Sequence, residues 1–487
     1  MQQRSHIGVT TETSVQSAPT SQSVPSGLFQ AVGITVKGPL NYPGVVRNLA
    51  QYVDLFGARA PYDNLYDTVR TYFQEGGAEL AVTRVVGPAA TNGSVTLTDG
   101  ATTDPVDVIT VEVIDPGPHS ADYRAVVSHN TDNTFNLTIL DSTTNRVIDA
   151  FQRAESAADL ASLALGNENV KIGSLAPTLR PAAGVFNLTA GTDDRTAIDA
   201  DVYATALAEH KGIRAGVAVG APGQHPLIIA DILGEHAAAT GKIGLLEIPP
   251  NSSIAEAKSI GTQLLGGSYS SYLSMPLYPS IRIPDGNDRT RTVSPIGYAA
   301  AKRSIVHRES SYAQAVAGPR VASVWNFTPT VRLSEEDINE LNVAGVNAIQ
   351  TGTGAPFLNN WSSLSTEPGL FDLNVRDCLN NLTVLFNDGF QELIWRPNDG
   401  RDNLRAEAQA IVDGIMEPLV RGSYLFPTQD GEGNFRDNGY SVTIEDIRTS
   451  GQAAPYDRVQ VAIAIKLSPT LRHIHVPIRN VDLRSAL

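Results

Sequence analysis

The chain has 487 residues, 42% hydrophobic and 18% charged, a composition that supports real cores and, at about 150 residues per domain, suggests about three domains. Thirty-six Lys and Arg against 51 Asp and Glu leave a net charge of −15, which argues against a general nucleic-acid binder and against docking on an anionic membrane. One cysteine, Cys378, excludes an intrachain disulfide framework and a cysteine-based zinc site, and no apolar run approaches the roughly 20 residues of a membrane span.

The first residues, MQQRSHIGVTTETS, lack the apolar core of a secretory signal, so a soluble, multidomain protein folding in the cytoplasm is expected. Residues 10–26 contain nine Ser or Thr and two Pro and cannot bury enough surface to fold alone. They read as a loose terminus or as an arm that orders against a neighbour. From Phe29 the pattern changes. FQAVGITVKG predicts a strand, and VVRNLAQYVDLFG a helix with Val46, Leu49, Tyr52, Val53 and Phe56 at helical spacing and Gly57 at its end. DNLYDTVRTYFQEGG predicts a second helix, capped by Asp63 or Asn64 and stopped by Gly76-Gly77. LAVTRVV then closes a β-α-α-β unit.

Composition shifts at Gly87-Pro88. Five alternating runs follow, SVTLT, DVITVEVI, YRAVVS, FNLTIL and RVIDAF, separated by turn signals such as Asp115-Pro116-Gly117. They predict a small β-rich insert. Eleven acids against three arginines between Asp99 and Asp159 suit an outward, solvated surface. From Ile198 helices and strands alternate: DADVYATALAEHKG, RAGVAVGAPG, HPLIIADILGEHAAATG, KIGLLEIPP, SIAEAKSIGTQLLGG and the extended SYLSMPLYPSIRIP. That order implies a largely parallel sheet covered on both sides. SPIGYAAAKRSIVHRE predicts a helix opened by Ser294-Pro295, and SEEDINELN one with Ser334 and Asp337 at capping-box spacing. Near the end, NLRAEAQAIVDGIMEPLVRG predicts an amphipathic helix with Leu404, Ala408, Ile411, Ile415 and Leu419 on one face. YSVTIEDI and RVQVAIAIKLSP predict strands, the second half-buried because Val459, Val461, Ile463, Ile465 and Leu467 alternate with Gln460, Ala462, Ala464 and Lys466.

Catalytic and ligand motifs fail on inspection. GEHAAATGKI at 234–243 has His236 where a phosphate loop needs Gly and Ile243 where it needs Ser or Thr, and reads as a helix ending at Gly241. TGTGAP at 351–356 and GGSYS at 266–270 read as loop and turn. DGEGNFRD at 430–437 has Phe435 at the required Gly of a calcium loop and reads as a hairpin loop. His473 and His475 share one face of a strand, with no carboxylate or thiol cluster to complete a metal site. No catalytic residue, metal or cofactor is expected.

Several strings resemble the contractile tail sheath proteins of bacteriophages and related injection machines. They are FQAVGITVKGPLNYPGVVRNLAQYVDLFG with LYDTVRTYFQEGGAELAVTRVVG, GAPG at 220–223, SSYLSMPLYPSIRIPDG, then VSPIGYAAA, VWNFTPT and LNVAGVNAI, and finally WRPN at 395–398 followed by DRVQVAIAIKLSPTLRHIHVPI. Their order and spacing carry the resemblance, over roughly residues 28–88 and 200–480. Asn360-Trp361-Ser362 departs from a Trp-Gly-Arg-Thr string common in the family, and Trp395-Arg396 from Phe-Glu before Pro-Asn. The resemblance implies an α/β + β multidomain fold: an α/β core built from both chain ends, an inserted β-rich outer domain and extended terminal arms. The divisions expected are an arm at 1–27, the first part of the core at 28–91, the insert at 92–190, an α/β middle domain at 191–360 and a C-terminal sheath domain at 361–487.

The resemblance also implies a structural, non-enzymatic role in the virion tail. Copies would form six-fold rings stacked helically around a tail tube protein, bounded by baseplate and tail terminator proteins, and would contract to drive the tube through the host envelope. Strand-forming arms would link subunits, here Val9, Thr11, Thr13 and Val15 at one end and Val459, Val461, Ile463, Ile465, Ile474 and Val476 at the other. Arg401 and Arg405 would face the tube or stand as ordinary solvated arginines. The rival readings are another tail or baseplate structural protein, or an α/β enzyme holding a small anion at GAPG or near Ser294.

Overall fold

Phe29–Gly33 (β1), Leu49–Phe56 (α1), Tyr66–Gln74 (α2) and Leu80–Arg84 (β2) form the expected opening unit, with β1 and β2 parallel from Phe29↔Leu80 to Gly33↔Arg84. The structure, a computed structural model, describes residues 27–40, 44–209, 216–286, 289–351, 354–396, 402–446 and 459–470. Asn48 Oδ1 accepts the Gln51 N–H and starts α1. Gly57 ends it at φ +93°, where a Cβ would stand 2.7 Å from Val36 Cβ, so both conformation and space require glycine. Between the two candidate caps of α2, Asp63 takes the role: its Oδ1 accepts from the Leu65 and Tyr66 amides. Asn64 reaches away to accept the Ile34 N–H at the end of β1.

The five alternating runs of the insert are strands: Ser94–Thr98 (β3), Asp107–Val113 (β4), Tyr123–His129 (β5), Phe135–Asp141 (β6) and Val147–Ala154 (β7). Three further elements come after them that the patterning did not announce, Ala157–Leu163 (α3), Val170–Ser174 (β8) and Gly184–Asn187 (β9). Two antiparallel sheets result, ordered β3-β4-β8 and β7-β6-β5-β9. They share a core of their own in which Leu97, Val111, Leu137, Ile139 and Leu160 are fully buried. The Thr91–Thr192 bridge and the Gly87 N–H to Asp193 carbonyl bond close the neck of the insert.

The chain continues through Ala200–Glu209 (α4), Ala218–Gly220 (β10), Pro226–Thr240 (α5), Ile243–Leu245 (β11) and Ile254–Leu264 (α6). The short strands Leu277–Tyr278 (β12), Ile281–Gly286 (β13) and Arg289–Val293 (β14) precede Ile296–Glu309 (α7). Thr328–Pro329 (β15), Glu335–Val343 (α8), Asn347–Gln350 (β16) and Phe357–Leu358 (β17) come next. The central sheet is ordered β11-β10-β1-β2 and is parallel throughout. Its pleat explains its two cores. Phe29, Ala31, Leu80, Val82, Ala218 and Ile243 face α1, α2 and α7, while Val32, Val219 and Leu246 face α4 and α5. The parallel pairing expected from Ile198 onward continues past β11 through single bridges, Gly244 to Leu273 and Glu247 to Leu277, to β12, which is itself parallel to β16. The antiparallel hairpin β13–β14 follows. Ser334 and Asp337 form the capping box of α8, both reciprocal bonds being present.

The last unit contains Leu373–Gln391 (α9), Asn403–Arg421 (α10), Tyr440–Asp446 (β18) and Val459–Ile465 (β19). The burial of α10 corrects its expected face. Ala408, Val412, Met416 and Leu419 are buried, while Ile411 and Ile415 are half-buried. The apolar arc of this helix is broad, and spacing alone does not locate its centre. GEHAAATGKI is the end of α5, with Gly241 left-handed at φ +66°, and DGEGNFRD closes a hairpin through the Gln429–Phe435 bridge.

Candidate functional site

Helix α9, which no sequence pattern announced, joins the α/β core to the last unit by two unlike faces. One is polar and buried: Asn374 donates to the Ala313 carbonyl, Asn380 to the Lys242 carbonyl, and Asp377 meets Arg303 on α7. The other carries Cys378 and Leu382, with Phe386 and Phe390 stacked at 5.9 Å, and packs with Val412, Met416 and Leu419 of α10. Burial pushes the Cys378 thiol up to about 12, so it stays protonated and inert.

The Arg303–Asp377 pair is the firmest link across this joint. Both side chains are 1% exposed, and the guanidinium donates to both carboxylate oxygens at 2.6–3.2 Å and to the Gly216 carbonyl at 2.9 Å. Burial pushes the Asp377 carboxyl up, but Arg303 and His307 together hold it below its ordinary value. A second buried link ties α2 to α7: Lys302 Nζ lies 3.0 Å from Glu75 and 3.6 Å from the Trp325 ring, and Glu75 accepts from the Trp325 and Asn326 amides. Arg84, at the end of β2, donates to Gly38 and Pro116 carbonyls and so holds the insert against the core.

Strands β18 and β19 pair antiparallel from Tyr440↔Ile465 to Asp446↔Val459 and form a sheet of two. Val461, Ile463 and Ile465 point to the core of α9 and α10, whereas Gln460, Ala462 and Ala464 are exposed, the expected half-buried alternation. Val459 is half-buried at the end of the same row. Each strand therefore keeps a second edge with no strand partner among the described residues, a row of main-chain groups open to a further strand. Val9, Thr11, Thr13, Val15, Ile474, Val476, Arg401, His473 and His475 lie outside the described residues. Arg405 is placed on the first turns of α10, 3.3 Å from Asp402.

The loop GAPG, where an anion would sit at the carboxyl ends of the parallel strands, is engaged by the protein itself. The Gly223 N–H donates to Glu247 Oε1 at 2.7 Å. Burial pushes this carboxyl up to about 7, against the pull of Ser294 and the Gly223 amide. Asn64 and Gln224 meet the Tyr203 hydroxyl beside it. A carboxyl of the protein thus takes the Gly223 amide that an anion at GAPG would use. No group of three or more His, Cys, Asp or Glu that could hold a metal ion occurs among the described residues, and no helix there is long and apolar enough to cross a membrane.

No family model and no curated protein sequence matches the chain. Solved structures do match. The chain is similar to the sheath tail protein of Desulfitobacterium hafniense, at 16% identity and a TM-score of 0.54 over 95% of this chain and 100% of that one. It is similar to the sheath tail protein of Listeria innocua, at 10% identity and a TM-score of 0.57 over 90% and 94%. It is also similar to the sheath complex of an extracellular contractile injection system in the contracted state, at 13% identity and a TM-score of 0.52 over 98% of both chains. The chain therefore has the fold of these sheath proteins over 90–98% of its length.

Proposed function

We propose that this protein is the structural subunit of a contractile tail or injection-system sheath. The carrying observation is the match of fold, in which 90–98% of this chain aligns with sheath chains. The open edges of the β18–β19 sheet supply the means of polymerisation. A segment from a neighbouring copy adds a strand there, and main-chain hydrogen bonds carry the affinity without special side chains. Residues 9–15 and 474–476 are the candidates for such strands, and Val459 to Ile465 form the platform that receives them.

In this reading copies stack as six-fold rings around a tail tube, between baseplate and terminator. Contraction is a rigid-body rearrangement of subunits tethered by their arms. Buried links such as Arg303–Asp377 suit that role, because a subunit that rotates as a block must not open internally. The α/β core serves as scaffold without catalysis or cofactor. The acidic insert faces outward, and Arg401 and Arg405 face the tube. Negative-stain electron microscopy of the purified full chain tests the reading directly. Striated hollow tubes are expected, and a protein that remains a monomer at high concentration and under polymer-promoting salt rejects it.

A further inference from the structure

A cleft of about 1270 Å³ opens between α8 and the chain that leaves β19. That exceeds the roughly 300–1,000 Å³ of small-molecule sites and suits a length of peptide. One wall is a single face of α8, on which Glu335, Ile338, Asn339, Asn342 and Val343 take the i, i+3, i+4, i+7, i+8 spacing. Val343 is 83% exposed although it stands in a concave site. Trp361, also lining the cleft, is 2% exposed, yet its indole N–H has no acceptor among the described residues. Asn342 Oδ1 is buried without a donor, while its Nδ2 donates to Asn359, which in turn donates to Gln350. An unmet donor, an unmet acceptor and a bare valine on one lining are groups that an extended main chain with one apolar side would satisfy.

The position of Thr470 at the cleft and the charge of the C-terminal segment beyond it identify the occupant. Ser468, Pro469 and Thr470 form part of the cleft lining. Seventeen residues lie beyond Thr470, LRHIHVPIRNVDLRSAL. Fully extended they reach at most about 61 Å, more than enough to cross the cleft. The described lining holds two carboxylates, Glu335 and Asp372, and neither Lys nor Arg. The segment holds Arg472, Arg479 and Arg484 against Asp482, and Ile474, Val476 and Ile478 recur two apart, on one side of an extended strand.

We infer that residues 471–487 dock in the cleft of their own subunit. The tether starts at the lip of the cleft, so the segment is presented at an effective concentration of about millimolar and weak contacts suffice. The docking does not depend on the sheath reading, but one consequence does. Ile474 and Val476 are the proposed linking residues, so a docked segment is withheld from a neighbouring copy. Docking then keeps free subunits apart, and release commits them to the polymer.

Engineered disulfides in the full chain test this. Val343→Cys is combined in turn with Ile474→Cys, Val476→Cys or Ile478→Cys, and the dilute monomer is oxidised. The native Cys378 is buried and silent. At least one pair is expected to close within the chain in most molecules, while Leu165→Cys on the insert, 88% exposed, closes with none of them. Absence of all three bonds, or bonds formed only between chains, overturns the inference. Hydrogen exchange gives a second reading: Val343→Asp is expected to speed exchange in 471–487 at least tenfold, and an unchanged rate counts against docking. A bond within the monomer combined with no tubes in the microscope would sustain the docking and reject the sheath reading. Tubes without the bond would do the reverse.

Discussion

Two buried acids show how this chain treats charge at the level of single residues. Asp377 is matched by Arg303 with full hydrogen bonding, so it stays ionised. Removing one partner strands the other in a dry site, and Asp377→Asn is expected to cost about 3–5 kcal/mol in urea unfolding of the full chain. The double change Arg303→Met with Asp377→Leu is expected to recover most of that loss; equal damage from the single and double variants would show that the pair is not the source. Glu247 has no cation and the opposite behaviour. Its folded pKa of about 7 lies above its ordinary 4.5, so its contribution is fully present below pH 4.5 and lost as pH rises to 7. Glu247→Gln is therefore expected to unfold less readily than the parent near pH 8, by roughly 3 kcal/mol, with the advantage shrinking toward pH 4.5. A constant difference across that range in thermal melts would exclude titration of Glu247 as its cause.

Among the elements, the helices of the last unit show how packing chooses a face. Helix α10 has apolar side chains on a wide arc, and α9 and β18 together decide which of them are covered. Met416→Ala is expected to cost about 2–5 kcal/mol, because it opens a cavity at a fully buried position. Ile411→Ala, at a half-buried position of the same helix, is expected to cost less than half as much by the same unfolding assay. The reverse order would return the helix to the face centred on Ile411 and Ile415. Strands β18 and β19 obey the simpler period of two, and in β19 the expected alternation and the observed one agree residue by residue. The β18–β19 sheet is covered on one face by the two helices, and among the described residues neither outer edge has a strand partner.

Across the whole molecule, the insert has its own core and joins the rest through a closed neck at Thr91 and Thr192, so its presence does not disturb the central sheet. Strand β1 pairs with both β2 and β10, although roughly 130 residues that include the insert separate β2 from β10. Such an organisation keeps the core of the insert apart from that of the central sheet. Deleting residues 1–26 is expected to leave the melting temperature within about 2 °C, because the described cores begin at Leu28. The same deletion is expected to abolish long tubes. Normal tubes from the truncated chain would dismiss the first residues as a linking arm.

Local patterning and end signals were legible wherever one physical cause set them. Alternation announced β3 to β7 and β19, the Gly57 and Gly241 stops ended their helices, and Ser334 with Asp337 announced the capping box of α8. Helix α9 was not legible, because half of its buried residues are polar, Asn374, Asp377, Asn380 and Asn381, and the first three bond to groups outside the helix. Nor could sequence choose between Asp63 and Asn64 as a cap, since Asn64 is claimed by Ile34, just past β1. Composition by itself determined an acidic, single-cysteine chain with no catalytic signature. Only the tertiary structure decided that Glu247 fills the GAPG loop, that Arg303 meets Asp377 across 74 residues, and that the last strands form a sheet of two. The reason is common to all three: periodicity records which side of an element is buried, whereas a partner distant in sequence leaves no local trace until the chain closes around it.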